Sequence, residues 1–384
     1  MHRNTYVEIN LTNIAHNIKT IIDKYDYKYY IGVVKGNAYG HGYGIIDTLL
    51  ENGINFLAVS NLDEALEIRK KHKNIKIVCL EPISIEYLDI CSKENISICV
   101  SNYDYFQKIK NLKFKINIHL KIDSGMNRLG FNNKEQIDEV YKSIQKEKNI
   151  YLEGIFTHFS TSGIYDKNYD EQLSCFKELT SDIDLKSIEV VHIDKSATMQ
   201  AHEKIDFVNG VRLGIIMYGF NSVPKYGNSL RDKLRLLKWK FFRKRKKIST
   251  PVLDNGLNLK QTFSLISEVL EVKEVKANSY IGYGTGVVVP RNTKIAIVDV
   301  GYADGINKKR IHSNVEINGK LYPIIADVCM GMILVEVDEN VNNGDKVTVI
   351  GGKIGIIAVS NHLNTTVYET MTMIDSNIKR IYRR

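Results

Sequence analysis

Ile31-Gly32-Val33-Val34, with Lys35 directly behind it, opens a series of eight short β-rich runs whose rhythm decides the fold. The others lie around Phe56–Val59, Ile75–Leu80, Ile96–Val100, Ile116–Ile122, Leu152–Thr157, Ile188–Ile193 and Phe207–Leu213. Longer polar stretches of helical character separate them, which is the pattern of repeated βα units. Eight parallel strands with intervening helices make a TIM (β/α)8 barrel, usually about 250 residues long. An open doubly wound sheet satisfies the same periodicity. Residues 11–223 are read as the barrel.

From residue 262 the rhythm changes. Thr293–Val300, Leu321–Ile325, Ile333–Val337 and Lys346–Ile350 are short runs divided by Gly, Asn and Asp turn signals, so 262–384 is expected to be a mainly β domain. The fold class is therefore α/β, a barrel followed by a mainly β C-terminal domain. The opening Tyr6-Val7-Glu8-Ile9 reads as a strand, and residues 1–10 are expected to pack with the C-terminal domain. Asn10 to Asn13 offer caps for a helix carrying Ile14, Ile18 and Ile22 on one face.

The length of 384 residues suits two domains. Apolar residues make up 43% and charged residues 25%, proportions of a soluble globular chain. No apolar run reaches the roughly 18 residues of a membrane span. Met1-His2-Arg3-Asn4-Thr5 leads into a short alternating stretch and not into a signal-peptide core, so a cytoplasmic location is expected. Cys79, Cys91, Cys99, Cys175 and Cys329 are odd in number and fall in neither C-x-x-C pairs nor metal-ligand spacing. Neither disulfides nor a bound metal are expected. The net charge of +9 is local: Lys225 to Lys247 holds eleven Lys or Arg against Asp232, leaving the rest of the chain close to neutral.

Residues able to do chemistry gather just past the ends of the proposed strands. Lys35 follows the first run, Arg128 comes shortly after the fifth, His158 follows the sixth, Ser196 the seventh, and Arg212-Leu213-Gly214 ends the eighth. In a TIM barrel those positions open onto one face, where catalytic groups collect. Singly, each has an ordinary explanation as a solvated lysine, a satisfied histidine or a surface ion pair; five at one rim carry more weight. The β domain adds Ile281-Gly282-Tyr283-Gly284, Gly301-Tyr302-Ala303-Asp304-Gly305 and Cys329-Met330-Gly331-Met332. Glycines around a tyrosine suit a phenol held at a tight turn near a ligand, and equally suit a plain hairpin.

Val33-Val34-Lys35-Gly36-Asn37-Ala38-Tyr39-Gly40-His41-Gly42 resembles the cofactor-lysine segment of alanine racemases. The likeness continues in order through Lys121-Ile122-Asp123-Ser124-Gly125-Met126-Asn127-Arg128-Leu129-Gly130-Phe131, Thr157-His158-Phe159-Ser160-Thr161, Val211 to Gly219 and Gly301 to Gly305. It implies pyridoxal 5'-phosphate bound as a Schiff base on Lys35, with Tyr39, Ser196, Gly214, Ile215 and Tyr368 around the phosphate. Hydroxyls and backbone N–H groups at a turn make a suitable anion cradle. Arg212 matches the arginine facing the pyridine nitrogen, with His158 supporting it. Arg128 matches the residue that meets the ring oxygen and the substrate carboxylate, and Lys121 matches a lysine commonly carbamylated in the family. Tyr283, from a second subunit, and Lys35 would be the two acid/base groups on opposite faces of the substrate. Met330 would offer its backbone N–H to the substrate carboxylate, and Tyr302 and Tyr368 would narrow the entrance. A homodimer acting on an amino acid, L-alanine and D-alanine in the first place, follows from the same resemblance, with D-alanine supply for the cell wall as its purpose.

Two features depart from the family pattern. Gly331 stands where an Asp is usual after Cys329-Met330, which opens either a compensated local variant or an altered substrate choice such as serine. The segment 224–261 is longer than the usual connection between the domains. Within it Leu230, Leu234, Leu237 and Phe241 recur at near-helical spacing among Lys and Arg, beside Trp239. A basic amphipathic helix of that kind can lie on an anionic membrane or grip a nucleic acid; the simpler reading of 225–247 is a solvated arm packed loosely on its own subunit. Among rival functions, a decarboxylase on a related barrel would need a carboxylate where Arg212 stands. A non-catalytic pyridoxal-phosphate carrier leaves the β domain with Tyr283 unexplained.

Overall fold

The computed structural model describes residues 3–164, 166–222, 230–245, 256–284 and 287–384. They form two compact units, one of residues 14–35 and 47–260, the other of 1–13, 36–46 and 261–384.

Strand β1 (Tyr6–Asn10) belongs to the second unit, and the first is built on β2 (Tyr29–Val33), β3 (Phe56–Val59), β4 (Lys76–Cys79), β5 (Ile96–Val100), β6 (Ile116–Lys121), β7 (Ile150–Phe156), β8 (Val190–Val191), β9 (Asp194–Lys195) and β10 (Gly210–Leu213). Every pairing among β2 to β10 is parallel, in the order β8-β7-β6-β5-β4-β3-β2-β10-β9. The two ends of that order, β8 and β9, are two halves of one run separated by His192-Ile193. The sheet therefore closes on itself through its seventh strand, and the eight runs form a barrel, not an open sheet. Parallel strands covered on both faces must be apolar along their length, and β3 and β5 are buried at every residue. Three intervening helices start on the same device, an asparagine whose side chain accepts a backbone N–H: Asn61 from Glu64, Asn102 from Tyr105 and Asn133 from Gln136. Each such cap stabilises its helix by about 1 kcal/mol.

In the second unit β1 pairs antiparallel with β11 (Phe263–Val275) and parallel with β17 (Lys379–Arg383). The sheet extends through β16 (Lys346–Ile350), β13 (Asn314–Ile317) and β14 (Lys320–Pro323), while β12 (Thr293–Val298) and β15 (Ile333–Val337) branch from the far end of β11. Ile281, Val289, Ile295, Ala326 and Leu334 form a core under that branch. The N-terminal strand is thus a full member of the β unit.

The stretch after Lys35 folds in an unusual way. Gly36, Asn37, Ala38 and Tyr39 all take the left-handed conformation, with φ of 61°, 53°, 52° and 53°. Outside glycine this costs roughly 1–2 kcal/mol per residue, so the turn must be held by its surroundings. It is: the Gly40 and Gly42 N–H groups donate to Gly36 and Asn37 carbonyls at 2.9 Å, and Arg380 Nε donates to Gly40 O at 3.0 Å. His41 donates from Nδ1 to Ala38 O at 3.0 Å, which leaves Nε2 to accept from the Thr262 hydroxyl at 2.8 Å. At Gly40 a Cβ would stand 2.4 Å from Met371 O, so only glycine fits.

The basic segment contains a helix over Leu230–Arg245; residues 225–229, 246–247 and the side chain of Trp239 lie outside the described residues. The segment is more than a loosely laid arm. Arg243 is fully buried and forms a bidentate pair with Asp170, at 2.7 and 3.0 Å, on the barrel helix Asn168–Leu179.

Ala38 is completely buried in the left-handed turn. Ala38→Val adds a branched side chain to that conformation and is expected to cost about 2 kcal/mol or more, read as a lower urea midpoint at unchanged slope. Ala38→Gly should stay within about 1 kcal/mol of the parent. Equal stability of Ala38→Val and the parent would count against the turn.

Candidate active site

The C-terminal ends of the barrel strands present one rim, and most of the barrel residues singled out from sequence stand on it. Lys35 lies two residues beyond β2, Lys121 ends β6, His158 lies two residues beyond β7, Ser196 follows β9, and Arg212 lies in β10 with Gly214 just after it.

Arg212 is buried among backbone carbonyls; among the described residues no carboxylate bonds it, and the nearby buried Asp194 acts on it only through its charge. The break in the seventh strand makes this arrangement. Where β8 stops and β9 has not begun, the His192 and Ile193 carbonyls turn toward the guanidinium. Arg212 Nη1 donates to His192 O, and Nη2 donates to Thr157 O at 2.7 Å and to Ile193 O at 3.4 Å. Nη1 also donates to His192 Nδ1 at 3.0 Å. Burial lowers the guanidinium to about 10, so it stays charged at neutral pH.

From this point a chain of hydrogen bonds runs through the barrel core. Arginine can only donate, so His192 Nδ1 must accept and its proton sits on Nε2. That proton goes to His119 Nδ1 at 2.8 Å, and His119 Nε2 then donates to Glu153 Oε2 at 3.0 Å. Burial favours the uncharged form of His192, and Arg212 adds to the effect. Burial by itself would raise Glu153, yet hydrogen bonds from His119, Lys76 and Ser97 hold it at about 2. Lys76 closes the chain at the opposite end of the barrel, 2.6 Å from Glu153 and 2.7 Å from Glu189. Gly154 makes room for the chain, since a Cβ there would lie 2.4 Å from His119 Nδ1. His158 approaches Arg212 from the other side, with Nδ1 3.4 Å from Nη2, and burial together with Arg212 keeps it neutral.

Two more lysines share the mouth. Lys121 is buried over the Phe156 ring at 4.5 Å, and burial with Arg212 and Arg128 nearby lowers it to about 8. Lys195 donates to Phe159 O at 2.7 Å and is lowered to about 8 by burial, then by Arg212 and Arg128. Among the described residues neither lysine is ion-paired to a carboxylate. Arg128 is exposed on a loop shaped by Asp123, whose carboxylate accepts the N–H groups of Gly125, Met126, Asn127 and Arg128 at 2.9 to 3.0 Å. Ser196 Oγ accepts the Gly214 N–H at 3.0 Å, which brings a hydroxyl against the turn that leads into Ile215.

In the β unit, the loops carrying Tyr302 and Met330 are bound together. Tyr302 and Ala303 N–H donate to the Cys329 and Met330 carbonyls at 2.9 Å. Tyr283, Met330 and Tyr302 are exposed, and a Cβ at Gly331 would meet nothing within 4 Å. Tyr39 and Tyr368 pack with ring centroids 5.8 Å apart.

Sequence reasoning missed His192, His119, Glu153 and Lys195. A signal was present for His119, which alternates onto the same strand face as Lys121, but a lone histidine among apolar neighbours reads as satisfied core.

The barrel mouth fits pyridoxal 5'-phosphate: it offers a primary amine, a hydroxyl beside a turn, and buried cations in excess of carboxylates. Comparison with known proteins agrees. The family profiles described as "Alanine racemase, N-terminal domain" and "Alanine racemase, C-terminal domain" match residues 9–222 and 262–382. An alanine racemase of Clostridium kluyveri is 34% identical, aligned over 99% of this chain and 94% of its own. Among solved structures, alanine racemase from E. faecalis superposes with a TM-score of 0.87 at 28% identity, covering 100% of this chain and 99% of that one. That from Bacillus anthracis, with bound L-Ala-P, gives 0.86 at 28% identity, covering 100% and 96%. Fold and site define an amino-acid racemase, an isomerase dependent on pyridoxal 5'-phosphate. The chain belongs to the alanine racemase family.

Glu153→Leu leaves His119 and Ser97 without their acceptor and Lys76 with Glu189 alone, and is expected to destabilise the protein by about 3–5 kcal/mol in urea unfolding. Glu153→Gln keeps an acceptor for His119 and should cost less. If the two variants are equally stable, the carboxylate does not anchor the chain.

Proposed function

We propose that the protein interconverts L-alanine and D-alanine by a two-base mechanism, as a homodimer in which Tyr283 of the partner subunit completes the site around Lys35. The observation that carries this reading is the buried, donor-only Arg212 on the same barrel rim as Lys35. When bound, pyridoxal 5'-phosphate supplies the electron-withdrawing system that makes the substrate Cα proton acidic. Arg212 has no proton to exchange near neutrality, so a ring nitrogen facing it stays unprotonated. That weakens the electron sink and favours prompt reprotonation over transamination. His158 and the His192 chain hold the guanidinium in this orientation.

The remaining roles follow from placement. Lys35 would anchor the cofactor and then remove or return the Cα proton on one face, while the partner's Tyr283 serves the other. Ser196, Gly214, Ile215, Tyr39 and Tyr368 would hold the phosphate. Arg128 would meet the ring oxygen and the substrate carboxylate, with the Met330 N–H as a second donor, and Tyr302 and Tyr368 would narrow the way in. Lys121 suits carbamylation: its lowered position near 8 leaves a share of neutral amine to attack carbon dioxide, and the resulting anion would stand beside Arg128. This reading places the enzyme in the cytoplasm, supplying D-alanine for cell-wall synthesis.

Lys35→Ala is expected to abolish racemisation in both directions, and Tyr283→Phe to reduce kcat by about 10²–10⁴. In D2O the first product should carry deuterium at Cα, because the group that delivers the proton is not the one that removed it. Retention of the original hydrogen in the product would rule out two bases.

Gly331 favours a second reading, a site that also accepts serine, since open space stands where a side chain would be. The measure is kcat/KM for L-alanine against L-serine. Gly331→Asp should raise the preference for alanine if that space admits the hydroxymethyl group; an alanine preference that is already strong and unchanged by the substitution removes this reading.

A further inference from the structure

We propose that the Leu230–Arg245 helix is a docking surface for an anionic lipid membrane. Leu230, Leu234, Leu237 and Phe241 are 78%, 54%, 63% and 70% exposed. An α-helix advances about 100° per residue, which places these four side chains in one stripe about 60° wide. Arg231, Lys238 and Arg245 flank the stripe on one side, Lys233, Lys240 and Lys244 on the other, and all six are exposed. The face away from the stripe carries Arg243, whose bidentate pair with Asp170 fastens the helix to the barrel unit. The stripe is therefore presented outward.

Charge complementarity selects the occupant. A narrow apolar band between two rows of cations matches a lipid interface, where leucines and a phenylalanine enter the acyl boundary and lysine and arginine stems reach back to the headgroup phosphates. A nucleic acid would engage the cations but leave the band against water. A second copy of the helix laid face to face would bring each row of cations against another row. An anionic membrane satisfies band and rows together, and the interaction should weaken as salt screens it.

The test is co-sedimentation of the full-length holoenzyme with vesicles of phosphatidylcholine alone and of phosphatidylcholine mixed with phosphatidylglycerol, at low and physiological salt. Binding to the mixed vesicles only is expected, weaker at higher salt. The double variant Leu237→Ser/Phe241→Ser, altered at exposed positions, should bind at least about 10-fold more weakly with unchanged racemase activity. Lys238→Glu/Lys240→Glu should also lose binding. No binding to the mixed vesicles, equal binding to both kinds, or full binding by the Ser double variant overturns the proposal. So does retention on single-stranded RNA, or self-association, in the absence of vesicle binding.

Discussion

A guanidinium buried in the mouth of a barrel, bonded by no carboxylate among the described residues, is the constraint around which the first unit is arranged. Removing an ionised group from water costs several kcal/mol unless its donors are met. The protein meets them by breaking a strand. The interruption between β8 and β9 forfeits part of the sheet ladder at His192-Ile193 and turns carbonyl groups toward Arg212. The buried Asp194 carboxylate acts on Arg212 through its charge without bonding it, and a second carboxylate, Glu153, is joined to it through His192 and His119, whose hydrogen-bond directions follow from arginine's inability to accept.

This arrangement bears directly on chemistry. A carboxylate placed against Arg212 would draw the guanidinium away from a ligand and weaken what it can offer a ring nitrogen. Backbone carbonyls and the His192 imidazole hold the guanidinium in place without a carboxylate bonded to it. Lys195 adds to the same field and lowers the cost of bringing in a phosphorylated cofactor and a substrate carboxylate. Barrel and cofactor site are thus a single electrostatic problem. The left-handed turn after Lys35 is a separate strained element, held by contacts to Met371, Arg380 and Thr262 within the β unit.

The positions of Lys35, His158, Ser196, Arg212 and Gly214 were legible because the end of a short apolar run can be located by composition alone. The break in the seventh strand was not, since Ile188–Ile193 reads as one continuous run. Nor was the interior chain: His119 and His192 are 73 residues apart, and His119 and Glu153 are 34 apart. No local pattern distinguishes a histidine that meets another from one that bonds a nearby carbonyl. Likewise Leu230, Leu234, Leu237 and Phe241 announce one face of a helix, but only the burial of Arg243 shows which way that face points.

The sequence by itself determined the order of strands and helices, the change to a β unit after residue 262, and the residue types waiting at each strand end. These depend on short-range periodicity and on turn chemistry. Tertiary structure alone decided that the sheet closes through a divided strand, that a hydrogen-bond chain through His192 and His119 joins Arg212 to Glu153, and that 36–46 joins the β unit. Such pairings are contacts between distant parts of the chain, and their geometry exists only once the parallel ladders have set each strand's register.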